Sequence, residues 1–435
     1  MTEGTVRFCQ LLLKYRPKVD KNVPSPLSHL AVGKLRYWAA EGYEYSSNLC
    51  CLLSRNMILY IRLTEYLPQG VWRLERIVDN IFLLFFIYFI LMNLIAVALT
   101  VYDKKSSQKK NNASRRRIKE LTLLMASILG GSVAMFLTML VIRHKTRHVK
   151  FMAGLPLMIA LQVAFITIAF NNSLTVSHYT VETDKIDGQI KLALIADLHS
   201  CDYSSRRQQN QNELIYAIEM QQPDAILLCG DIFDDKLPPD NAIEFISRVS
   251  VKFPCYYVSG NHEFWSGIAD NYKRILMDFG VVILEGSAEI LETRGDKIRI
   301  AGIDDPDTDH FASSSAPYSQ QLDQLNAMSM SFDNDIFTVL LSHRPERINE
   351  LLPLNTDLVL SGHAHGGQWR FPIFLENGAL SPNQGLFPKY ASGEQSFGAT
   401  KLIISRGLAR ETTTVPRIFN PPEVIIITLK AMRLL

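Results

Sequence analysis

Five short apolar runs in the second half of the chain each end in a residue that can bind a metal ion. The runs are IKLALIADLH, DAILLCGD, CYYVSGNHE, FTVLLSHRP and TDLVLSGHAH. One such ending is most often a hydrogen-bonded residue without chemical function, but that does not explain five in succession. Continuous apolar runs of this length are typical of strands buried on both faces, and in layered α/β folds the functional groups lie just beyond the strand ends. The pattern therefore predicts that the five endings converge on one site.

Residue types and spacing favour metal binding at this site. Two pairs of candidate ligands are two positions apart, so in an extended chain both members point to one side. Two further candidates directly follow a glycine, whose backbone can turn sharply and bring the next side chain inward. The candidate ligands are Asp197, His199, Asp231, Asn261, His343, His363 and His365.

These donors are carboxylates, an amide oxygen and imidazoles, without a thiolate. They favour manganese, iron or zinc over calcium or a structural cysteine-type zinc. Seven donors exceed what one tetrahedral ion needs. Two ions about 3.5 to 4 Å apart, bridged by a carboxylate and a water-derived hydroxide, would use them all. The sequence therefore predicts a hydrolytic site with two divalent ions.

Three uncharged stretches precede this part of the chain, at residues 81–102, 121–142 and 151–170. Each has about the 20 residues needed to cross a hydrocarbon core, whereas helices of a soluble protein normally keep a polar face. We predict a transmembrane domain of about three helices over residues 81–170. Residues 1–80 are expected to be loosely structured or interfacial, residues 171–187 to be a linker, and residues 188–435 to be the catalytic domain.

Charge separates the two parts of the chain. Residues 1–187 carry 24 Lys and Arg against 12 Asp and Glu, and residues 188–435 carry 21 against 31. An acidic domain argues against nucleic acid as its ligand, whereas the basic part suits anionic membrane lipids. The N-terminus has no apolar region typical of a cleavable signal peptide, so internal segments are expected to direct the chain to the membrane.

The set DLH, GDIFDD, GNHE, SH and GHAH, in this order, resembles the calcineurin-like metallophosphoesterases over about residues 188–430. The resemblance implies a four-layer α/β fold, with two β-sheets face to face and helices outside. It also implies two metal ions that share Asp231. One ion would be held by Asp197, His199, Asp231 and His365, and the other by Asp231, Asn261, His343 and His363.

Two other parts of the sequence also resemble known bacterial families. The motifs GHAHGGQWRFP, SRGLAR and PRIFNPPEVIIITL are similar to a membrane-anchored or exported subgroup of these phosphoesterases. YDKK, RRRIKE, LGGSVAMF and RHKTRHVKF resemble a small uncharacterised integral-membrane family over about residues 80–170.

Several neighbours of the ligands have more than one interpretation. His262 resembles the family's non-ligand histidine, which would donate a proton to the phosphoryl or leaving-group oxygen, and its alternative role is support of a ligand. Asp234 and Glu263 are expected to accept hydrogen bonds that orient ligand histidines. Arg344 would either contact phosphate or form an exposed salt bridge. Trp265, Trp369 and Phe371 either line an apolar groove or pack the rim.

The predicted function is hydrolysis of a phosphomonoester or phosphodiester, through attack of the metal-bridging hydroxide, by a membrane-tethered enzyme. Tethering near lipid favours a lipid-linked or envelope-derived substrate, and a soluble nucleotide is the alternative. A membrane-bound binding or regulatory protein with a degenerate phosphatase fold is the alternative, although no ligand is missing. A nuclease is disfavoured because it needs a basic groove.

Two features of the sequence favour opposite sides of the membrane for the catalytic domain. With three crossings, nine Lys and Arg lie on the side opposite seven, which would put the catalytic domain in the cytoplasm by a small margin. The resemblance to an exported subgroup instead favours the extracytoplasmic face of the cell membrane, and we take the latter as the expectation.

Overall fold

The computed structural model describes residues 71–108, 118–204, 211–307, 324, 335–410 and 415–432. The predicted N-terminal region therefore lies outside the described residues up to position 70, and its last ten residues belong to the first helix. The N-terminal helices are α1 (Val71–Gln108), α2 (Glu120–Ala126), α3 (Ser132–Val141), α4 (Val149–Met152) and α5 (Gly154–Ala169).

Three helical segments of the described chain are long and apolar enough to cross a membrane. They are Leu84–Gln108, Glu120–Val141 and Val149–Ala169, and they overlap the three predicted stretches. Large apolar side chains on all three, such as Phe85, Leu137 and Ile168, are exposed, as expected for helices whose outer surface faces lipid rather than water.

The second apolar segment folds back on itself. In the turn Ser127–Gly131, between α2 and α3, Gly130 has φ 110° and ψ −1°, which is not helical. Glu120, at the start of α2, lies 3.9 Å from Lys145 and 3.5 Å from Lys150, both of which follow α3. A straight helix of 22 residues would place its ends about 33 Å apart, and the four residues from 141 to 145 span at most about 14 Å. The segment is therefore a helical hairpin whose two ends lie at the same level.

Polar side chains from α1 and α5 hold the tip of this hairpin. The amide of Gln162 donates to two of the carbonyls of Ser127–Gly130, at 3.0 and 3.1 Å. The Tyr88 hydroxyl and the Asn93 amide donate to the other two, at 2.9 and 3.4 Å. Carbonyls that leave a helix at membrane depth need such partners, because lipid supplies no hydrogen-bond donor. The hairpin is thus stabilised by the few polar residues of the neighbouring helices.

The catalytic part contains two six-stranded sheets. The strands of the first, in spatial order, are β1 (Thr175–Thr183), β14 (Glu423–Ala431), β2 (Gln189–Ile195), β3 (Ala225–Cys229), β4 (Cys255–Val258) and β5 (Val282–Ile283). Those of the second are β12 (Gly393–Phe397), β13 (Thr400–Ile404), β9 (Leu358–Ser361), β8 (Phe337–Leu341), β7 (Asp296–Gly302) and β6 (Ser287–Thr293). Strands β10 (Leu380–Ser381) and β11 (Gly385–Leu386) form a small hairpin.

The central strands of both sheets are parallel, so their carboxyl ends share an edge. Strands β2 to β5 are parallel, with Leu192 paired to Ala225, and β7, β8, β9 and β13 are parallel in the second sheet. Strands β3, β8 and β9 are buried along their whole length, which agrees with their uninterrupted apolar sequences.

Side chains of both sheets pack face to face in one core. Leu192 and Leu227 from the first sheet lie in the same buried cluster as Val339 and Leu360 from the second. Helices cover the outer faces: a second cluster joins the first sheet to its helices, and a third joins the second sheet to a short helix. The α-helices described in the catalytic part are α6 (Asn212–Glu219), α7 (Asp240–Val249), α8 (Asn261–Trp265), α9 (Ala269–Asp278) and α10 (Ile348–Leu351), and all except α8 contribute to these two clusters. The predicted four-layer α/β arrangement is confirmed.

The expected linker at residues 171–187 is wrong for most of its length. Strand β1 runs from Thr175 to Thr183 and pairs with β14 over nine residues. Its sequence, TVSHYTVET, has only three separated apolar residues, and most of this edge strand is not buried, so it lacks the continuous apolar run by which the central strands were recognised. The folded catalytic domain therefore begins before Gly188.

Candidate metal centre

The predicted ligands lie at the carboxyl edge that the two sheets share. Each of five strands is followed within a few residues by a ligand: β2 by Asp197, β3 by Asp231, β4 by Asn261, β8 by His343 and β9 by His363. The remaining two, His199 and His365, follow two positions later. All seven side chains belong to residues that are at most 6% exposed.

The backbone of this edge is strained where the ligands are. Five of the seven ligands have positive φ, with values of 51° at Asp197, 48° at His199, 53° at Asp231, 64° at His363 and 45° at His365. Residues other than glycine rarely adopt this left-handed conformation, and such strain concentrates at functional sites. The turns therefore direct the side chains inward at an energetic cost that packing around them must offset.

Asp231 lies between two groups of donor atoms. Its Oδ2 atom is 3.1 Å from Nε2 of His343 and 3.6 Å from Nε2 of His199. Oδ1 of Asp197 is 3.9 Å from Nε2 of both His343 and His365. Donor atoms within 4.8 Å of one another form three groups, which are Asp197, His199 and His365; Asp231, His343 and His363; and His199, Asp234 and His262. The first two groups are parts of the two ligand sets that the family motif implies, and Asp231 also lies near His199 of the first group.

Six donor atoms at this site are buried without a hydrogen-bond partner among the described residues. They are Oδ2 of Asp197, Nε2 of His199, Oδ2 of Asp231, Oδ1 of Asn261, Nε2 of His343 and Nδ1 of His365. Burying polar atoms without partners is unfavourable, and native proteins leave few of them. Convergence of six lone pairs, with no thiolate among them, fits divalent cations of the manganese, iron or zinc type.

In three of the candidate ligand histidines, one ring nitrogen is hydrogen-bonded to a neighbouring group. Nδ1 of His199 lies 2.9 Å from Oδ1 of Asp234, and Nδ1 of His343 lies 2.8 Å from the carbonyl of Cys229. Nε2 of His363 lies 3.0 Å from the Asn383 amide. Such contacts fix which nitrogen would face a bound metal ion. Asp234 thus occupies the orienting position that the sequence suggested, whereas Asn383 was not foreseen because it lies 20 residues away in the β10–β11 hairpin.

Glu263 does not orient a histidine, in contrast to the expectation. Its two carboxylate oxygens accept four backbone N–H bonds, from Asp231, Ile232, Phe233 and Gly260, at 2.7 to 3.0 Å. Glu263 lies in the first turn of α8, whose geometry brings it back under the two glycine turns rather than toward an imidazole. It therefore holds together the loops that present Asp231 and Asn261. Burial raises its pKa to about 7, and the charge of Asp231 adds to this.

His262 lies beside the ligands with its ring fixed by carboxylates. Its Nδ1 atom is 2.6 Å from Oδ1 of Asp235 and 3.4 Å from Oδ1 of Asp234. The ring packs edge-on against His199, with centroids 4.3 Å apart, and against Trp265 on its other side. Its side chain is 18% exposed, so it reaches the mouth of the site. Asp235 was not singled out from the sequence, although it is the second residue of the Asp pair that ends GDIFDD.

Arg344 is buried in an ion pair. Its Nε and a terminal nitrogen bind Asp305 at 2.7 and 2.9 Å, and the same terminal nitrogen lies 2.8 Å from Asp307. The expected alternative of an exposed salt bridge is therefore wrong in its exposure, because Arg344 is only 7% exposed. Contact of Arg344 with phosphate stays a prediction.

Two neighbouring carboxylates respond differently to burial. Burial raises the pKa of Asp197; the charge of His343 opposes this, and that of Asp231 adds to it. Burial also raises the pKa of Asp231, but the charges of His343 and His262 outweigh it and hold that pKa well below the usual range. Two carboxylates this close repel each other, and bound cations would relieve the repulsion.

The last two ligand histidines are held neutral. Burial lowers the pKa of His363 and of His365 well below the usual range, and the nearby charges of Arg344 and His199, respectively, lower them further. The neutral imidazole is the form that binds metals.

Cys229, by contrast, is a core residue: burial raises the pKa of its thiol, and its Sγ atom contacts the carbonyl of Leu360.

The C-terminal segment supports the site in a way that the sequence did not reveal. Gly407, in the motif SRGLAR, has φ 71°, and a Cβ atom there would lie 2.5 Å from Oδ2 of Asp197. The amide of Asn420 donates to the carbonyls of His365 and Gln368, at 2.7 and 3.3 Å. These residues lie more than 200 and 50 positions from their partners, so no local pattern connects them.

Two parts of the chain match models of known protein families. Residues 190–367 match the family model described as calcineurin-like phosphoesterase. Residues 93–151 match that of a protein family of unknown function, DUF1294.

The chain is similar to several curated proteins. It is 27% identical over 249 residues to the Bacillus subtilis (strain 168) protein named uncharacterized metallophosphoesterase YkuE, covering 55% of this chain and 79% of that protein. It is 26% identical over 260 residues to an uncharacterized metallophosphoesterase of Aquifex aeolicus (strain VF5), covering 59% and 92%. A Bos taurus protein named transmembrane protein with metallophosphoesterase domain is 25% identical over 204 residues, 44% of each chain. Among solved structures, a dimetal phosphatase from Danio rerio is 14% identical, covers 53% of this chain and 91% of that chain, and gives a TM-score of 0.34.

Proposed function

Because the chain carries a calcineurin-like metallophosphoesterase domain, we propose that this domain hydrolyses a phosphate ester with a pair of divalent metal ions held by the seven ligands. The observation that carries the proposal is the convergence of six unpartnered, buried donor atoms around Asp231. Two such ions, when bound, would activate water and neutralise the phosphoryl oxygens. Manganese, iron and zinc all suit the donors.

His262 is proposed to supply the proton that the leaving group needs. Burial alone lowers its pKa, but the charge of Asp231 and the hydrogen bonds to Asp234 and Asp235 outweigh burial and raise that pKa to about 10. A protonated imidazole with Nδ1 bound to carboxylates keeps its other N–H toward the mouth of the site, where a phosphoryl or leaving-group oxygen would bind. Asp235 acts through His262 as a positioning residue.

We propose further that the apolar helices anchor this enzyme in the cell membrane with its catalytic domain on the extracytoplasmic side. The helical hairpin supports this, because a segment that folds back does not change sides. Of the three apolar segments in the described part of the chain, α1 and the Val149–Ala169 segment then cross, so the loops 103–120 and 143–150 share one side.

The distribution of Lys and Arg over the loops and flanks supports this orientation. The loop 103–120 carries eight Lys and Arg and the loop 143–150 carries four, whereas the flanks 62–80 and 171–190 carry three and one. Short loops rich in Lys and Arg stay in the cytoplasm. Twelve basic residues against four therefore favour cytoplasmic loops and an extracytoplasmic catalytic domain. A lipid-linked or envelope phosphoester is the substrate class that this position makes accessible.

The proposal is tested with the full chain purified in detergent, using p-nitrophenyl phosphate and bis-p-nitrophenyl phosphate as substrates. We expect hydrolysis of at least one of them after loading with Mn²⁺ and its loss after treatment with EDTA, with restoration by added metal. The relative rates distinguish a monoesterase from a diesterase. Stoichiometric metal binding without hydrolysis of either ester would instead favour the alternative of a binding or regulatory protein.

A further inference from the structure

An exposed apolar surface lies next to the metal centre. The loop Phe371–Leu375 follows the ligand turn His363–Gln368 and exposes Ile373 by 84% and Phe374 by 88%. The β10–β11 hairpin exposes Leu386 and Phe387 in addition. Backbone hydrogen bonds attach both segments to the same turn, because Ala379 donates to the carbonyls of residues 367 and 369 and Phe387 donates to that of Ala379. We call Phe371, Ile373, Phe374, Leu386 and Phe387 the apolar rim.

The apolar rim is continuous with the end of the last membrane-crossing segment. The Phe419 ring packs edge-on against Phe165 of α5, with centroids 5.3 Å apart, and lies 6.0 Å from the ring of Phe371. The backbone N–H of Phe419 donates to the carbonyl of Ala169, the last residue of α5, at 2.7 Å. Neighbouring Ile418 is hydrogen-bonded to Gln368 and Arg370 at the base of the loop. The rim is thereby fixed at the level where α5 ends.

A basic side chain lies where this surface meets the protein. A cavity of about 340 Å³ between the loop and Phe419 is lined by apolar residues of both, by the two arginines Arg370 and Arg406, and by one carboxylate, Glu376. Arg406 is paired with Glu423 at 2.7 Å. Arg370 has no carboxylate within ion-pair distance among the described residues and donates to the Ser392 hydroxyl. Apolar side chains above a basic group match the order of acyl chains and phosphates at a membrane surface.

We propose that the apolar rim inserts into the interface of the bilayer that the helices cross, with Arg370 at the level of the lipid phosphates. Soluble proteins seldom expose a contiguous apolar patch next to a site, and this one extends the lipid-facing surface of α5. The consequence of this insertion for catalysis rests on the proposed function. The rim and the ligand turn belong to one backbone segment, so the mouth of the metal centre would lie at the membrane surface, where a lipid phosphoester would enter it.

The test uses the full chain reconstituted in vesicles of phosphatidylcholine and phosphatidylglycerol that carry bromine on the acyl chains, which quenches tryptophan at short range. Phe374→Trp is compared with the parent chain and with Val251→Trp. Val251 is 83% exposed, in the turn after α7, and serves as the matched control. We expect bromolipid to quench at least twice as much of the added fluorescence in Phe374→Trp as in Val251→Trp.

Equal quenching of the two variants would overturn the proposal. Shielding of the Phe374→Trp fluorophore from both bromolipid and aqueous iodide would also overturn it, because this would indicate a protein contact such as a second copy of the chain. Neither reading depends on hydrolysis, so a failure here is distinct from a failure of the proposed activity. If the substrate is a lipid, Ile373→Asp/Phe374→Asp should in addition lower hydrolysis of phosphatidic acid in vesicles at least fivefold more than hydrolysis of p-nitrophenyl phosphate.

Discussion

Asp231 is the residue on which both halves of the metal centre depend. Its Oδ2 atom lies near His343 and His199, one from each ligand group. Asp231→Asn keeps the size of the side chain and the oxygen that accepts the N–H of His262, but it removes the charge that two cations would share under the proposed function. We expect activity to fall by at least about 100-fold. This is more than the 10- to 100-fold loss typical of changing a residue that hydrogen-bonds to a metal ligand. Ester hydrolysis and metal content by mass spectrometry measure it.

The control for this substitution is Asp278→Asn, an exposed aspartate at the end of α9. It should leave both activity and metal content unchanged. If Asp231→Asn kept two metal ions and most of its activity, Asp231 would not be the shared ligand.

His262→Asn should retain the metal ions and lower kcat by roughly 10² to 10⁴, the range expected for loss of a general acid.

Asp235→Asn should lower kcat by about 10-fold, because the imidazole of His262 loses its charged partner at 2.6 Å. If Asp235 acts only through His262, the double variant should be no slower than His262→Asn. Additive losses would show that Asp235 has a separate role, and metal loss in His262→Asn would make His262 a ligand.

The candidate ligands could be recognised from the sequence, whereas most of the residues that position them, apart from Asp234, could not. Asp197 and His199, or His363 and His365, are separated by one residue, so the backbone alone links their directions. Asn383 contacts His363 from 20 residues further along the chain, and Gly407 lies beside Asp197 only after the chain has formed the second sheet. Glu263 was assigned the wrong partner because the sequence places it beside a histidine, and only the geometry of α8 shows that it faces backbone amides.

At the scale of elements, the C-terminal turn at Gly407 is as necessary as the strand ends. Gly407→Ala places a Cβ atom 2.5 Å from Asp197 and should displace that ligand. Gly398→Ala is the matched control, since Gly398 also has positive φ, 64°, but no atom lies within 4 Å of its added Cβ. Each substitution should cost about 1–2 kcal/mol in backbone strain. Only Gly407→Ala should in addition lose metal, by at least about 10-fold in affinity measured by chelator competition.

Equal metal affinity in the two variants would mean that Asp197 can move aside without loss of its ion. Similar thermal unfolding of the two variants would confirm that strain alone is not the cause of any difference in affinity.

The direction of an element is harder to predict than its existence. Central strands and apolar helices were foreseen because each has a characteristic run length. Hydropathy cannot show that the stretch 121–142 reverses at Gly130–Gly131, since both arms of the hairpin are equally apolar. Its polar contacts, from Gln162, Tyr88 and Asn93, are distributed over two other helices, so a pair of glycines was the one local signal.

For the whole molecule, the reversal decides which side of the membrane each part reaches. Three crossings would separate the loops 103–120 and 143–150, and the charges would then be nearly balanced. Two crossings put both loops on one side. The contact of Lys104, near the end of α1, with the carbonyl of Arg143, at 3.1 Å, joins the end of this helix to the loop 143–150 and agrees with the second arrangement. The basic residues of both loops then add to one orientation signal.

We therefore expect Ser107→Cys and Thr146→Cys to be labelled on the same, cytoplasmic side, and Val251→Cys on the opposite side. All three positions are exposed, and the measurement uses full-length chains in which Cys9, Cys50 and Cys51 are replaced by serine. In right-side-out membrane vesicles, a membrane-impermeant maleimide should label Val251→Cys alone, and a permeant maleimide should label all three. The remaining cysteines are buried and supply the background in the parent chain. Three crossings make the opposite prediction, with Ser107→Cys and Val251→Cys on one side and Thr146→Cys on the other, so the pattern of the two reagents distinguishes a hairpin from a span.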